Sequence, residues 1–560
     1  MLLDNIKLHL PQLGICCDVQ PGITALEIFQ DYKEVFKDSP HGMPMLAIVN
    51  NTPWALEKPI FETSTLEWLG YDSSLGQRVY VSTLSLLLFR AGEDLGLPPI
   101  TIEHALSNGY YGIIGQGEEQ PIPEVLQALT RRVQELIDED LPITYHRTPS
   151  KNAREYFRHR GLPATEGLIR EKGDYYTPIV ELEGYHDFLL TCPLPRTSML
   201  WLFGIEPMEN GFLLRVPNAK KPEELYSVIS QPKQFAALEH HLNLMRMIGI
   251  EDLAPLNKAI REGKSTQLIS LAEAIHEKRI AQIASEITER NKKGVKIVLL
   301  SGPSSSGKTT TAKRLSTQLL TNLIWPHSIS LDDYYVNRVD TPLDEFGNPD
   351  YESLYSLDLT QLQEDVSRII AGEEVQLPTY NFINGEREYH EDKKIKLEEN
   401  GILIMEGIHA LNPELLGSIP AESTFKIYVS ALTPLSIDKH NWIRSSDNRL
   451  LRRIVRDIKY RGTTAEKTIM MWDDVRAGEE KWIFPYQENA DVMLNSAMIY
   501  EISALKPQAT QALMGVQEIS PAYPIAYQLL RLLDLFTPID LNEVPSTSLL
   551  REFLGGSSYE

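Results

Sequence analysis

Cysteine is nearly missing: three in 560 residues, two of them adjacent as Cys16 and Cys17, the third at Cys192. So few cannot build a disulfide framework, and none stands at metal-ligand spacing from a histidine, which excludes a disulfide scaffold and a zinc finger. His104, His186 and the His240-His241 pair also lack partners at ligand spacing, and no zinc is expected. Long apolar runs are absent too. No stretch approaches the roughly 18 residues of a membrane span, and MLLDNIKLHLPQLG lacks the basic-then-apolar order of a leader. Together these absences predict a cytoplasmic chain with no membrane partner. Cations are outnumbered, 54 Lys+Arg against 77 Asp+Glu, for a net charge of −23. The overall field therefore opposes nucleic-acid backbones, and tRNA binding is not favoured, since it would rest on a local basic run such as KNAREYFRHRG.

What is present is globular. Hydrophobic residues at 42% and charged residues at 23% suffice for several cores, and the length suggests three or four domains because single cores stop growing near roughly 250 to 300 residues. Residues 1–72 alternate short apolar runs (IKLHL, MLAIV) with turn signals and one helical stretch, ALEIFQDYKEVF, an α+β pattern. Residues 73–225 mix helical and β-rich segments as a second α+β domain. Residues 226–293 read as a helical connector, 294–500 as an α/β domain opening with VKIVLL, and 501–560 as a helical extension ending in REFLGGSSYE, which either docks or frays.

Gly302-Pro303-Ser304-Ser305-Ser306-Gly307-Lys308-Thr309-Thr310 fits GxxxxGK[ST], the loop whose backbone N–H groups wrap a nucleotide phosphate at a helix N-terminus. An accidental match in a chain this long has a probability of about 2 per cent. An apolar run precedes the loop and a helical pattern follows it, the strand-loop-helix setting that the motif requires. Lys308 supplies a cation for the β- and γ-phosphates, and Thr309 a hydroxyl for Mg²⁺. Downstream, HSISLDDYYV delivers Asp332 and Asp333 at a strand end, and GILIMEGIHAL places Glu406 at another. Two carboxylates at strand carboxyl ends form a convergent site in an open α/β sheet, one able to accept an acceptor hydroxyl's proton and the other to reach Mg²⁺.

The segments GPSSSGKTT, SLDDYY, LPTYNF, MEGIHAL and RRIVRDIKYRG, in this order across about 295–500, resemble the uridine kinase and phosphoribulokinase branch of P-loop kinases. The resemblance implies an α/β P-loop kinase, a parallel sheet with flanking helices, preceded here by the two α+β domains. It implies Asp332 as general base, Glu406 with Thr309 as the Mg²⁺ side, and Glu352 at the ribose hydroxyls. Tyr335, Tyr380 and Phe382 fall at the nucleoside, and Arg453, Arg456 and Arg461 on a lid helix that neutralises the transferring phosphoryl group together with Lys308. The expected reaction moves a phosphoryl group from ATP or GTP to the 5′-hydroxyl of a nucleoside, uridine or cytidine. The alternatives are another sugar or sugar-phosphate acceptor, or a regulatory P-loop protein that binds tRNA.

The sequence departs from that branch in three places. Where its members carry a pyrimidine-reading histidine, NFINGERE offers Asn384 and Gly385; a further lid arginine falls on Thr463; and DKHNWIRSSDNRLL lengthens the connection into the lid helix. In the amino-terminal half, VQPGITALEIF and LAIVNNTPWAL resemble the TGS module of threonyl-tRNA synthetases. SNGYYGII, VQELIDEDLPI and NAREYFRHRG resemble the additional domain that follows it. The histidine and cysteine positions at which that domain edits tRNA are missing: STLSLLLFRA has no histidine, and LTCPL puts Leu190 and Leu194 in the later slots. Editing is expected to be lost. A homo-oligomer is compatible with the sequence.

Overall fold

The computed structural model describes residues 5–36, 42–117, 120–344, 347–417, 419–433 and 435–559. IKLHL alternates buried and exposed side chains over Ile6–Leu10, as a strand with one face on a core must. It pairs with Ile15–Val19 and, in parallel, with Ser64–Leu69; Leu46–Val49 and Thr52–Trp54 complete a five-stranded sheet. The hairpin between the last two turns at Asn50 and Asn51, both at positive φ, a conformation asparagine tolerates better than most residues. Helix Ala25–Tyr32 crosses the sheet, opened by a capping box between Thr24 and Glu27.

The next helix, α1 (Ser74–Asp94), has no polar face: Leu84, Leu86, Leu87 and Leu88 are all fully buried. One apolar core runs from Ile6 through α1 to Val216 without a break at residue 72. Two antiparallel sheets flank it. One joins Ile100–Leu106, Gly109–Ile114, Gly211–Arg215 and Gly204–Met208; the other joins Thr144–Pro149, Tyr176–Leu182 and Tyr185–Asp187.

Helices Pro232–Ile248 and Leu253–Arg261 lead into α2 (Ser265–Asn291). Its last turns lay Ile280, Ile283 and Ile287 against one face of a parallel sheet. That sheet is built from β1 (Ile297–Ser301), then α3 (Lys308–Thr321), β2 (Trp325–Ser330), β3 (Gly401–Glu406), β4 (Thr424–Ser430) and, after α4 (Ser445–Arg461) and α5 (Trp472–Trp482), β5 (Val492–Asn495). Its order is β2-β3-β1-β4-β5, every pairing parallel. Apolar clusters cover both faces. That is why β1 is buried at every position and reads as the unbroken IVLLS.

The chain closes with α6 (Glu501–Met514), α7 (Tyr523–Asp534) and a last turn, Arg551–Leu554. Leu549, Leu550 and Phe553 are 0% exposed, so the end docks. It shares one core with α4 and with helices 150–172 of the amino-terminal half, through Phe157, Leu168, Ile454 and Leu529. Among the described residues no helix is long and apolar enough to cross a membrane.

Candidate active site

The phosphate-binding loop leaves β1 at Ser301. Gly302 has no alternative, because a Cβ there would overlap the Val429 carbonyl oxygen, and Gly307 sits at φ +85, a conformation costly for other residues. Lys308 opens α3 and donates to the Gly302 and Pro303 carbonyls at 2.9 and 3.2 Å, folding back over the turn of the loop. The Ser305 and Ser306 hydroxyls are buried without a partner. Buried polar groups are nearly always satisfied, so two orphans in the loop fit a cradle for a polar guest.

Register then places the acids. Ser330 on β2 and Leu300 on β1 both stand opposite Glu406 at the end of β3. The Glu406 Oε1 accepts from Thr309 Oγ1 at 3.2 Å and from Ser330 Oγ at 3.4 Å. Asp332 lies one turn past β2, in the tight helix Leu331–Tyr334. Burial pushes the Glu406 carboxyl up to about 7, opposed chiefly by Lys308. Burial also raises Asp332, against Lys308, Arg461 and Arg456. Burial lowers the Lys308 ammonium, which Glu406 and Asp332 pull back up. Lys308 thus lies within the electrostatic reach of two carboxylates at the ends of neighbouring strands. Thr309 and Glu406 together are an oxygen-only donor pair, the set that Mg²⁺ takes while keeping most of its water.

Glu352 stands beside this group, pushed by burial up to about 7 and held down mainly by Arg453. Tyr335, Tyr380 and Phe382 cluster next to it, with ring centroids 5.0 to 6.5 Å apart. Tyr380 is 8% exposed and Phe382 60%, so the cluster has a wet side. Asp333, the second acid of the pair, plays a different part: it accepts the Tyr380 backbone N–H at 3.2 Å and fixes the hairpin that carries the aromatics. At the tip of that hairpin Asn384 turns to Glu388, and Gly385, at φ +77, packs on Arg338.

On α4, Arg453 donates to Ser304 Oγ at 2.6 Å. Arg453, Arg456 and Arg461 gather around Asp457, which is 4% exposed. Of the three, Arg453 touches the loop directly, through Ser304. Sequence reasoning missed what holds the loop from behind. Arg449 clamps Glu479 of α5 and donates to the Ser304 carbonyl at 3.1 Å, while Glu479 accepts the Ser304 N–H at 3.0 Å. Arg452, fully buried, pairs with Glu501 and donates to the Ser305 carbonyl. Thr310 is held too, its N–H donating at 3.1 Å to Glu552 of the last turn. In NRLLRRIVRDIKYRG, Arg449 stands three and four residues before Arg452 and Arg453, one helical turn, and that spacing was the available signal.

One sequence expectation is corrected. His186 is not without partners at ligand distance: its Nε2 lies 3.6 Å from Glu181 Oε2, and His146 Nδ1 lies 3.9 Å from the same oxygen. The three donors lie within 4.8 Å of one another. They come from three adjacent strands, a juxtaposition that linear spacing does not display.

Comparison with known families matches residues 297–503 to the Phosphoribulokinase / Uridine kinase family. A uridine kinase of Macrococcus caseolyticus is 31% identical over 202 residues, 35% of this chain and 86% of that protein. A uridine kinase of Halobacterium salinarum is 25% identical over 197 residues, 35% of this chain and 77% of that protein. A solved structure from Bacillus stearothermophilus described as a possible uridine kinase is 19% identical, covers 39% of this chain and 98% of its own, and has a TM-score of 0.28.

Proposed function

Because this chain belongs, through residues 297–503, to the Phosphoribulokinase / Uridine kinase family, we propose that it is a nucleoside kinase transferring the γ-phosphoryl group of ATP or GTP to a nucleoside 5′-hydroxyl, uridine or cytidine first. The observation that carries this reading is that Glu406, at the end of β3, accepts from Thr309 of the phosphate-binding loop, while Asp332 follows the end of the neighbouring strand β2. Thr309 and Glu406 would hold Mg²⁺, which when bound supplies positive charge to the β- and γ-phosphoryl oxygens. Asp332 accepts the proton of the 5′-hydroxyl and keeps its oxygen in line. Lys308, Arg453, Arg456 and Arg461 stabilise charge on the phosphoryl group in flight. Glu352 receives the ribose hydroxyls, and Tyr335, Tyr380 and Phe382 stack on the base.

The hairpin tip supports a second acceptor reading. Where the resembled branch carries a pyrimidine-reading histidine, this hairpin has Asn384, which donates to Glu388, and Gly385, which packs on Arg338. A sugar or sugar phosphate would need no such histidine. An acceptor panel of nucleosides, pentoses and sugar phosphates, read by NDP release, separates the two. Turnover confined to nucleosides supports the first reading, and turnover on sugars with none on any nucleoside overturns it. The reading extends to the amino-terminal half, where residues 1–72 are proposed as a TGS-like module and 73–225 as a synthetase-like additional domain without editing chemistry.

A further inference from the structure

Apart from the phosphate-binding cleft, a cavity of about 100 Å³ opens where α1, the segment leading into α4, and α7 meet. Its walls are fixed by packing. In the segment 437–444 the His440 ring stacks on Phe89 of α1 at 3.8 Å, and its Nδ1 lies 2.7 Å from Asp187. Asn441 donates to the Phe188 carbonyl at 2.9 Å. The insertion that lengthens the approach to α4 is thus seated in the amino-terminal half and closes one side of the cavity.

Three guanidinium groups line this space, from Arg78, Arg444 and Arg531, against the single carboxylate of Asp447. Arg78 already takes Asp447 in a two-pronged pair at 2.5 and 2.7 Å. Among the described residues neither Arg444 nor Arg531 forms an ion pair. Arg531 has the Tyr145 phenol for company, and burial depresses the Arg444 guanidinium below its ordinary value. In a chain of net charge −23, a cavity wall with excess positive charge attracts anions. Four further polar atoms in the lining are buried without a partner: Arg78 Nε, Ser85 Oγ, Trp442 Nε1 and Gln528 Oε1. Orphans of this kind are rare, and several around one space call for an occupant that supplies both acceptors and donors. Val81, Leu189 and Leu532 give the cavity an apolar side, and the volume is several times the roughly 10 to 15 Å³ that one water needs.

We propose that this cavity is a second small-molecule site, which binds a small organic anion by its carboxylate or phosphate group on Arg444 and Arg531, with Trp442 Nε1 donating to it and Gln528 Oε1 accepting from it. The test is calorimetric titration of the full chain, with ADP and Mg²⁺ present in excess so that the loop at Gly302 does not compete for the probe. Succinate and glycerol 3-phosphate are the two probes, and they distinguish the carboxylate from the phosphate source. At least one is expected to bind 1:1 with a Kd of about 1 mM or tighter. Arg444→Gln and Arg531→Gln should each weaken that binding at least tenfold, while ADP affinity stays within twofold. Arg531 is exposed, so its variant keeps the fold and decides the matter alone should Arg444→Gln melt early. Failure of both probes to bind the wild-type chain means that the cavity holds water only and overturns the proposal. Binding that survives Arg531→Gln overturns it as well.

Discussion

In the proposed reaction Asp332 and Glu406 carry the chemistry, and their surroundings give them different tests. Asp332→Asn removes the proton acceptor and keeps the shape. Turnover should fall by the roughly 10² to 10⁴ that a general base contributes, with ADP affinity near wild type by calorimetry; turnover within threefold of wild type removes Asp332 from its role. Glu406 is held at about 7 by burial, above the roughly 4.3 of a glutamate in the unfolded chain. Between those values the folded state binds the extra proton, so stability falls as pH rises from about 4.5 to 7, and the cost is complete above 7. Glu406→Gln should therefore raise the ligand-free melting temperature at pH 8, leave it nearly unchanged at pH 4.5, and abolish Mg²⁺-dependent turnover. A variant less stable at pH 8 contradicts the burial argument. Glu406 stood out in the sequence because it ends the apolar run GILIM, and Asp332 because it follows the short strand-like HSIS, which the structure forms as the end of β2. His186 did not, because its partners Glu181 and His146 become neighbours only through strand pairing.

At the scale of elements, the loop between β1 and α3 is held by three others. α4 and α5 meet behind it through Arg449 and Glu479, whose side chains are 4% and 0% exposed, and the last turn reaches α3 through Glu552. Breaking a buried pair from one side strands a charge, at about 3 to 5 kcal/mol. Glu479→Gln should cost about that much in denaturant unfolding and lower ADP affinity by freeing Ser304. The double variant Arg449→Met, Glu479→Leu should regain most of the stability and none of the affinity. Glu552 calls for the opposite sign. Its carboxylate sits on a backbone N–H at the start of a phosphate-binding helix, a place that favours anions, so it competes with a nucleotide phosphate. Glu552→Gln should tighten ADP binding several-fold by titration, and weaker binding would show that Glu552 supports the loop instead. The loop and its helix were plain in GPSSSGKTT because the motif is contiguous. The clamp was hidden because Ser304, Arg449 and Glu479 are far apart in sequence and their pairing depends on how α4 and α5 lie across the sheet.

The whole molecule is tied together by shared cores. The helices at 150–172, α4 and the last turn pack into one cluster, and the 437–444 segment is seated on α1. Phe553→Ala, at a fully buried position of that cluster, should cost about 3 to 5 kcal/mol and be felt in both halves as a single cooperative loss on a thermal scan. Two separated transitions would show that the halves unfold independently. The strand and helix order of the amino-terminal half followed from alternation and turn signals, as in IKLHL and LAIVNNTPW. Its fusion to the rest did not, because α1 is buried around most of its circumference, Ser85 included, and its pattern does not say which neighbours cover it. The central claim is that the loop at Gly302 presents a terminal phosphoryl group to an acceptor oriented by Asp332. Its most direct test is transfer of label from γ-³²P ATP to uridine in the presence of Mg²⁺. The account predicts labelled UMP formed in step with ADP by the wild-type chain and reduced at least a hundredfold by Asp332→Asn. ADP and free phosphate with no labelled uridine or cytidine product would contradict it.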